Sequence, residues 1–164
     1  ASASYKGGPG KSFLATTMAG LLQEKGHHVL VVDLDGQCAQ TQNLNVDVDP
    51  ERTMEHWLDG LGDPDPLLHP TATPHIALIP AHPDIVNVAH NQATYTQVSR
   101  LVGALEGSIY RFVVLDTAPA SHPLAMSALL AADWFLTPLR PAVKEVVNSL
   151  KLFDRDVLLI LYMQ

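Results

Sequence analysis

The chain has 164 residues, nearly half of them hydrophobic, which is enough for one domain with a sizeable core spanning 1–164. Its net charge of −7 excludes a surface that is basic all over and attracts nucleic acid everywhere, while leaving room for a local basic patch. The single cysteine, Cys38, excludes an intramolecular disulfide and a cysteine-ligated cluster within one chain, which fits a reducing compartment.

From the N-terminus, "ASAS" (1–4) is the remnant of a strand, followed by the glycine-rich "YKGGPGKS" (5–12) and a helical pattern, "SFLATTMAGLLQEKG" (12–26), closed by Gly26. "HVLVVDLD" (28–35) is a β-branched run ending in acids and reads as a buried parallel strand. The stretch 43–83 is less regular. Within it "PERTMEHWLDGLG" (50–62) predicts a short helix with Pro50 near its start, "DPDPLLHPTATPH" (63–75) a proline-punctuated loop, and "IALIPA" (76–81) a second strand. "TYTQVSRLVGALEG" (94–107) predicts a helix closed by Gly107, "RFVVLDTAP" (111–119) a third strand and "HPLAMSALLAA" (122–132) another helix. "WFLTPLRP" (134–141) predicts a fourth strand, "VKEVVNSLKLFD" (143–154) a helix, and "VLLILYM" (157–163) a fifth strand. Apolar strands alternating with helices give an α/β fold with a mostly parallel sheet covered on both faces. The terminal apolar run is far too short to cross a bilayer. Residues 1–20 lack the charged start and apolar core of a signal peptide. With a nearly absent first strand and an end inside an apolar run, the chain reads as incomplete at one or both ends.

The glycine-rich stretch sits at a strand–helix junction, the context a phosphate loop needs. Gly7, Gly8 and Gly10 let backbone N–H groups curl around a phosphate, and Pro9, which has no N–H, takes a position that need not donate. Lys11 reaches the outer phosphates, and Ser12 offers a hydroxyl to Mg²⁺ at the positive end of the helix. Asp116 ends "FVVLD", where a Walker-B carboxylate holds Mg²⁺ through water. Asp33 and Asp35 end "VLVVDLD" at the carboxyl edge of the sheet, where ligands bind in open α/β folds.

The second lysine, Lys6, completes "KGGPGKS", which resembles the deviant Walker A motif K-G-G-x-G-K-[ST] of the ParA/MinD family of ATPases. "GHHVLVVDLDGQ" (26–37) resembles that family's strand leading to switch I. "YRFVVLDTAPASHPLAMSALLAADWFLTPLRP" (110–141) resembles its Walker B, switch II and following strand. "DLDGQ" and "DTAPA" are more similar to ParA-type partition ATPases than to MinD. Tyr5 stands where the family has Gly, Asn or Gln, and Pro9 fills a site often held by Val. The resemblance implies a P-loop NTPase fold that binds ATP or ADP with Mg²⁺, dimerises on ATP and hydrolyses it slowly in the cytoplasm. Family members usually run about half as long again.

By that resemblance Lys6 crosses the dimer interface to the partner's ATP and acts with Lys11 and Asp35 in catalysis; Asp35 orients the attacking water. Ser12 and Asp116 hold the metal, with Asp33 near its water shell, and Thr117, Ala118 and Pro119 sense the γ-phosphate. The implied partners are a second copy, nonspecific DNA at the nucleoid and a DNA-bound protein that stimulates hydrolysis. Plasmid or chromosome partitioning is the implied role. A MinD-like positioning ATPase acting on a membrane or scaffold is the alternative, and a carboxylate-activating metabolic enzyme of the same fold a third.

Among other residues, His27 and His28 point apart, and His69, His75 and His82 have no acid or cysteine at ligand spacing, so no structural zinc is expected. Cys38 reads as a small, at least partly buried residue rather than a reactive thiol. Trp57 and Trp134 read as core packing rather than base-stacking platforms. Arg100, Arg111 and Arg140 are scattered and form no DNA patch.

Overall fold

Val29–Leu34, strand β1, is buried along its whole length, as expected for a β-branched strand with neighbours on both edges and cover on both faces. The computed structural model describes residues 10–60, 62–87, 96–119, 122–139 and 157–161. In chain order the elements are helix α1 (Lys11–Glu24), β1, α2 (Ala39–Asn43), α3 (Met54–Gly60), a 3₁₀ turn (Asp65–Leu67), β2 (His69–Pro70), β3 (Ile76–Ile79), α4 (Gln97–Ala104), β4 (Phe112–Thr117), α5 (Pro123–Ala131), β5 (Phe135–Leu139) and β6 (Val157–Leu161).

β1 lies between β3 and β4 and runs parallel to both, in the order β2-β3-β1-β4, while β5 and β6 form a parallel pair. The register sets Asp33 opposite Asp116 and Leu34 opposite Thr117, so two acids stand side by side where β1 and β4 end.

Alternate residues of β1 serve opposite faces. Leu30, Val32 and Leu34 pack with Ala77, Ile79 and Leu115 against α3, α4 and α5 through Met54, Leu58, Val98, Leu101 and Leu124. Val29 and Val31 pack with Ile76 and Leu78 against Ala19 and Leu22 of α1. Ala15 and Ala19 are the buried small residues of α1, and they let the helix lie close on the sheet. Pro123 at the first position of α5 fits its fixed φ, and the His122 ring accepts the N–H of Leu124. Ser127 of α5 accepts the N–H of Val98 at 3.0 Å and so caps α4 from a neighbouring helix.

The layered α/β architecture matches the sequence reading, with three local differences. The proline-rich stretch contains β2, which pairs antiparallel with β3. Pro70 is tolerated because β2 is an edge strand with a side that need not donate. The helix expected from Pro50 starts at Met54, because the chain first turns on the Arg52 N–H to Asp49 carbonyl bond. Helix α2 has no counterpart in the sequence reading: its five residues, AQTQN, carry no apolar periodicity. The helix expected at 143–154 lies outside the described residues.

Candidate functional site

α1 begins at Gly10, whose φ of 125° excludes a side chain without strain. No side chain among the described residues caps this helix start, and the first described intrahelical bond is Leu14 N–H to the Gly10 carbonyl at 2.9 Å. The Ser12 and Phe13 amides, ahead of that bond, are among the N-terminal donors of the helix, next to the carboxyl ends of β1 and β4. Lys11 is buried in this first turn. Lys6, Gly7, Gly8 and Pro9 lie outside the described residues.

Asp116 is fully buried at the end of β4. Its Oδ2 accepts the Gln40 side-chain N–H at 2.9 Å, whereas its Oδ1 has no hydrogen-bond partner among the described residues. Burial raises its pKa. The Ser12 hydroxyl, the Gln40 amide and the Lys11 charge pull the other way, while Asp35 adds to the rise. A buried carboxylate oxygen with no partner, beside a serine hydroxyl and a helix N-terminus, suits a hard dication. Among the described residues no group of three histidines, cysteines or carboxylates could hold a metal. Magnesium bound together with phosphates needs only one or two carboxylates, so Ser12 and Asp116 fit it.

Asp33, expected near the metal's water shell, takes its hydrogen bonds from α2 and from the turn before it. Its Oδ2 accepts the Gln40 N–H, the Thr41 N–H and the Thr41 hydroxyl, each at 3.0 Å, and its Oδ1 accepts the Asp35 N–H at 3.2 Å. The carboxylate therefore ties the start of α2 to the end of β1. Burial nevertheless pushes its pKa up to about 6, with the Asp116 charge contributing and the hydrogen bonds opposing.

Asp35 is half-buried at the mouth of the site. Its Oδ1 accepts the Gln37 N–H at 3.0 Å and its carbonyl accepts the Cys38 N–H at 2.8 Å, which closes the turn between β1 and α2. That turn leaves no room for a larger residue at Gly36, where a Cβ would stand 2.6 Å from Val86 Cγ2. Thr117 and Ala118 are buried directly after Asp116, and the Pro119 carbonyl accepts the His122 N–H at 2.9 Å. The structure thus gathers Gly10, Lys11, Ser12, Asp33, Asp35 and Asp116 at one edge.

Sequence reasoning missed Gln40, Thr16 and Thr41. The single hydroxyl hydrogen of Thr16 is shared between the Ser12 carbonyl at 2.9 Å and Gln40 Oε1 at 2.8 Å. The one available signal was their position, one turn after the serine of the phosphate loop and just after "DLDGQ".

Elsewhere, the buried ring of His69 bonds the Leu67 carbonyl through Nδ1 and accepts the Asp49 N–H on Nε2, a structural role. Cys38 is buried, and its thiol is pushed up to about 11 by burial and by the charges of Asp33, Glu55 and Asp35. Trp57 packs in the core and donates to the Gly62 carbonyl at 2.9 Å. Trp134, expected in the core, is 67% exposed, because it precedes β5 and is not yet part of the sheet. No helix among the described residues is long and apolar enough to cross a membrane.

A family model described as an AAA domain matches residues 1–153. The chain is 38% identical over 139 residues to the chromosome-partitioning ATPase Soj of Thermus thermophilus, covering 84% of this chain and 53% of Soj. It spans about half the length of the relatives it matches. Apo McdA of Cyanothece shares the fold, with a TM-score of 0.85 at 22% identity over 97% of this chain and 69% of that one. A plasmid partition protein of Borrelia burgdorferi B31, solved with AMPPNP bound, matches with a TM-score of 0.80 at 25% identity over 98% of this chain and 73% of that one. Together with the acids paired at the end of β1 and β4 and the open helix start of α1, these matches identify the chain as a member of the ParA/MinD family of P-loop ATPases, of the Soj and ParA partition type.

Proposed function

We propose that this chain carries the nucleotide site of an ATP-dependent switch ATPase that works in plasmid or chromosome partitioning. The observation that carries the reading is the buried Oδ1 of Asp116, without a hydrogen-bond partner among the described residues, beside Ser12 at the start of α1, in a chain 38% identical to Soj. The α1 N-terminus and Lys11 bind the phosphates of ATP. Ser12 and Asp116 would hold Mg²⁺, which would supply positive charge to offset that of the phosphates. Asp35, at the mouth of the site, orients the attacking water.

Lys6 completes the site of a second copy, so that two subunits enclose two nucleotides. A cation beside the β- and γ-phosphates stabilises the charge that develops in phosphoryl transfer, so a lone subunit hydrolyses slowly. The ATP dimer binds DNA nonspecifically in the cytoplasm, at the nucleoid, and a DNA-bound partner protein stimulates hydrolysis. ADP, the product, releases the dimer.

The test is DNA retention by the Asp35→Ala protein at low salt, in Mg-ATP against Mg-ADP. Retention with ATP alone is expected. Dimers that form in ATP but never retain DNA would move the reading to the membrane or scaffold class. Lys6→Ala is expected to abolish both ATP-dependent dimerisation and hydrolysis, and unchanged values for both would remove the trans-acting role.

A further inference from the structure

Gln40 is the one buried side chain of α2, and it joins the two halves of the candidate metal site. Its Nε2 donates to Asp116 Oδ2 at 2.9 Å and to the Ser12 carbonyl at 2.6 Å, and its Oε1 accepts the Thr16 hydroxyl at 2.8 Å. The neighbours set the orientation of the amide: turned over, its oxygen would face a carboxylate and a carbonyl, both acceptors. Both amide hydrogens and the oxygen are therefore engaged, and the group has one position. Its own backbone N–H is held by Asp33 Oδ2 at 3.0 Å. One residue thus links the ends of β1 and β4 to the first turn of α1.

This arrangement divides the two oxygens of Asp116. Oδ2 is occupied by the amide, and Oδ1 is buried with no partner among the described residues. A carboxylate free to rotate would exchange the two oxygens and lose a defined acceptor; one pinned through Oδ2 keeps Oδ1 available. Resting on the Mg-ATP reading of the site, we propose that Gln40 is a positioning residue that fixes Asp116 and Ser12 for a divalent cation bound with the nucleotide. Because α2 hangs from Asp33 directly after the Asp35 turn, a shift of α2 would release Asp116 Oδ2 and loosen the cation.

The test measures ATP affinity of the intact protein by calorimetry, in EDTA and across a Mg²⁺ titration. Gln40→Met keeps the length of the side chain and removes both donors and the acceptor. Thr16→Val keeps the shape of the side chain and removes the hydroxyl that Oε1 shares with the Ser12 carbonyl. The Mg²⁺ concentration for half-maximal tightening of ATP is expected to rise ~10-fold in Gln40→Met and a few-fold in Thr16→Val, with affinity in EDTA changed by less than ~2-fold. A Mg²⁺ midpoint that stays at the parent value overturns the proposal, as does an equal loss with and without Mg²⁺, which would mean a merely structural role. If Gln40→Met does not fold by circular dichroism, Thr16→Val decides by the same criteria. A parent protein that binds no ATP in either condition overturns the nucleotide reading and this role with it. A parent that binds while both variants track it overturns the role of Gln40 alone.

Discussion

Replacing Asp33 by Asn tests whether this carboxylate is held in the fold at a cost. Its four hydrogen bonds favour the ionised form, yet burial outweighs them and its pKa rises from 3.8 to about 6. The folded protein therefore holds the proton more tightly than the unfolded chain. The stability Asp33 contributes is fully present below its unfolded value and is lost as pH climbs through about 6. At ~1.36 kcal/mol per pH unit, the whole interval is worth roughly 3 kcal/mol, of which on the order of 1 kcal/mol lies between roughly pH 5 and pH 7. Asn cannot titrate. It keeps one oxygen for the three donors of Gln40 and Thr41, and it turns an NH₂ toward the Asp35 N–H, forfeiting the longest bond, a loss of order 1 kcal/mol. Urea denaturation of parent and variant without nucleotide or Mg²⁺ measures the difference. The advantage of the parent over Asp33→Asn is expected to shrink by on the order of 1 kcal/mol from roughly pH 5 to pH 7. A difference that is flat or grows with pH would refute the reasoning, because it would mean that the hydrogen bonds, not burial, set the charge state.

Three further outcomes follow from packing and burial. Gly36→Ala places a Cβ 2.6 Å from Val86 Cγ2 and 3.3 Å from the Pro83 carbonyl, so it is expected to cost about 1–3 kcal/mol. Adding Val86→Ala should recover much of that in a double-mutant cycle, and additive losses would show that the clash is not with Val86. Ser127→Ala leaves the buried Val98 N–H without its acceptor and is expected to cost about 1–3 kcal/mol in urea denaturation, with faster hydrogen exchange at that amide. Cys38, with its thiol near 11 rather than 9.0, should be alkylated by iodoacetamide about 100-fold more slowly than a small thiol until denaturant is added. Rapid labelling of the native protein would contradict its burial.

Much of this architecture is written into short stretches of sequence. "VLVVDL" and "FVVLD" could be read as buried parallel strands because β-branched runs suit a sheet covered on both faces. Gly10-Lys11-Ser12 marked the start of α1 because only glycine takes φ of 125° there without strain. The acids Asp33, Asp35 and Asp116 were legible as a cluster because each stands at the end of an apolar strand. Their separate roles were not. Asp33 and Asp35 differ by two positions, yet one is buried under four donors and the other sits at the mouth of the site. That difference depends on α2, a helix too short and too polar to leave a periodic signal. Trp57 and Trp134 look alike in sequence, but only the first has a helix to anchor it over the core. The sequence alone determined the layered fold, the start of α1 at Gly10 and the family, since strand patterns and glycine positions are local properties of the backbone. Tertiary structure alone decided that Gln40 joins Asp116 to Ser12, because a buried amide finds its partners across 76 residues of chain, and pairing at that distance is set by the register of β1 with β4.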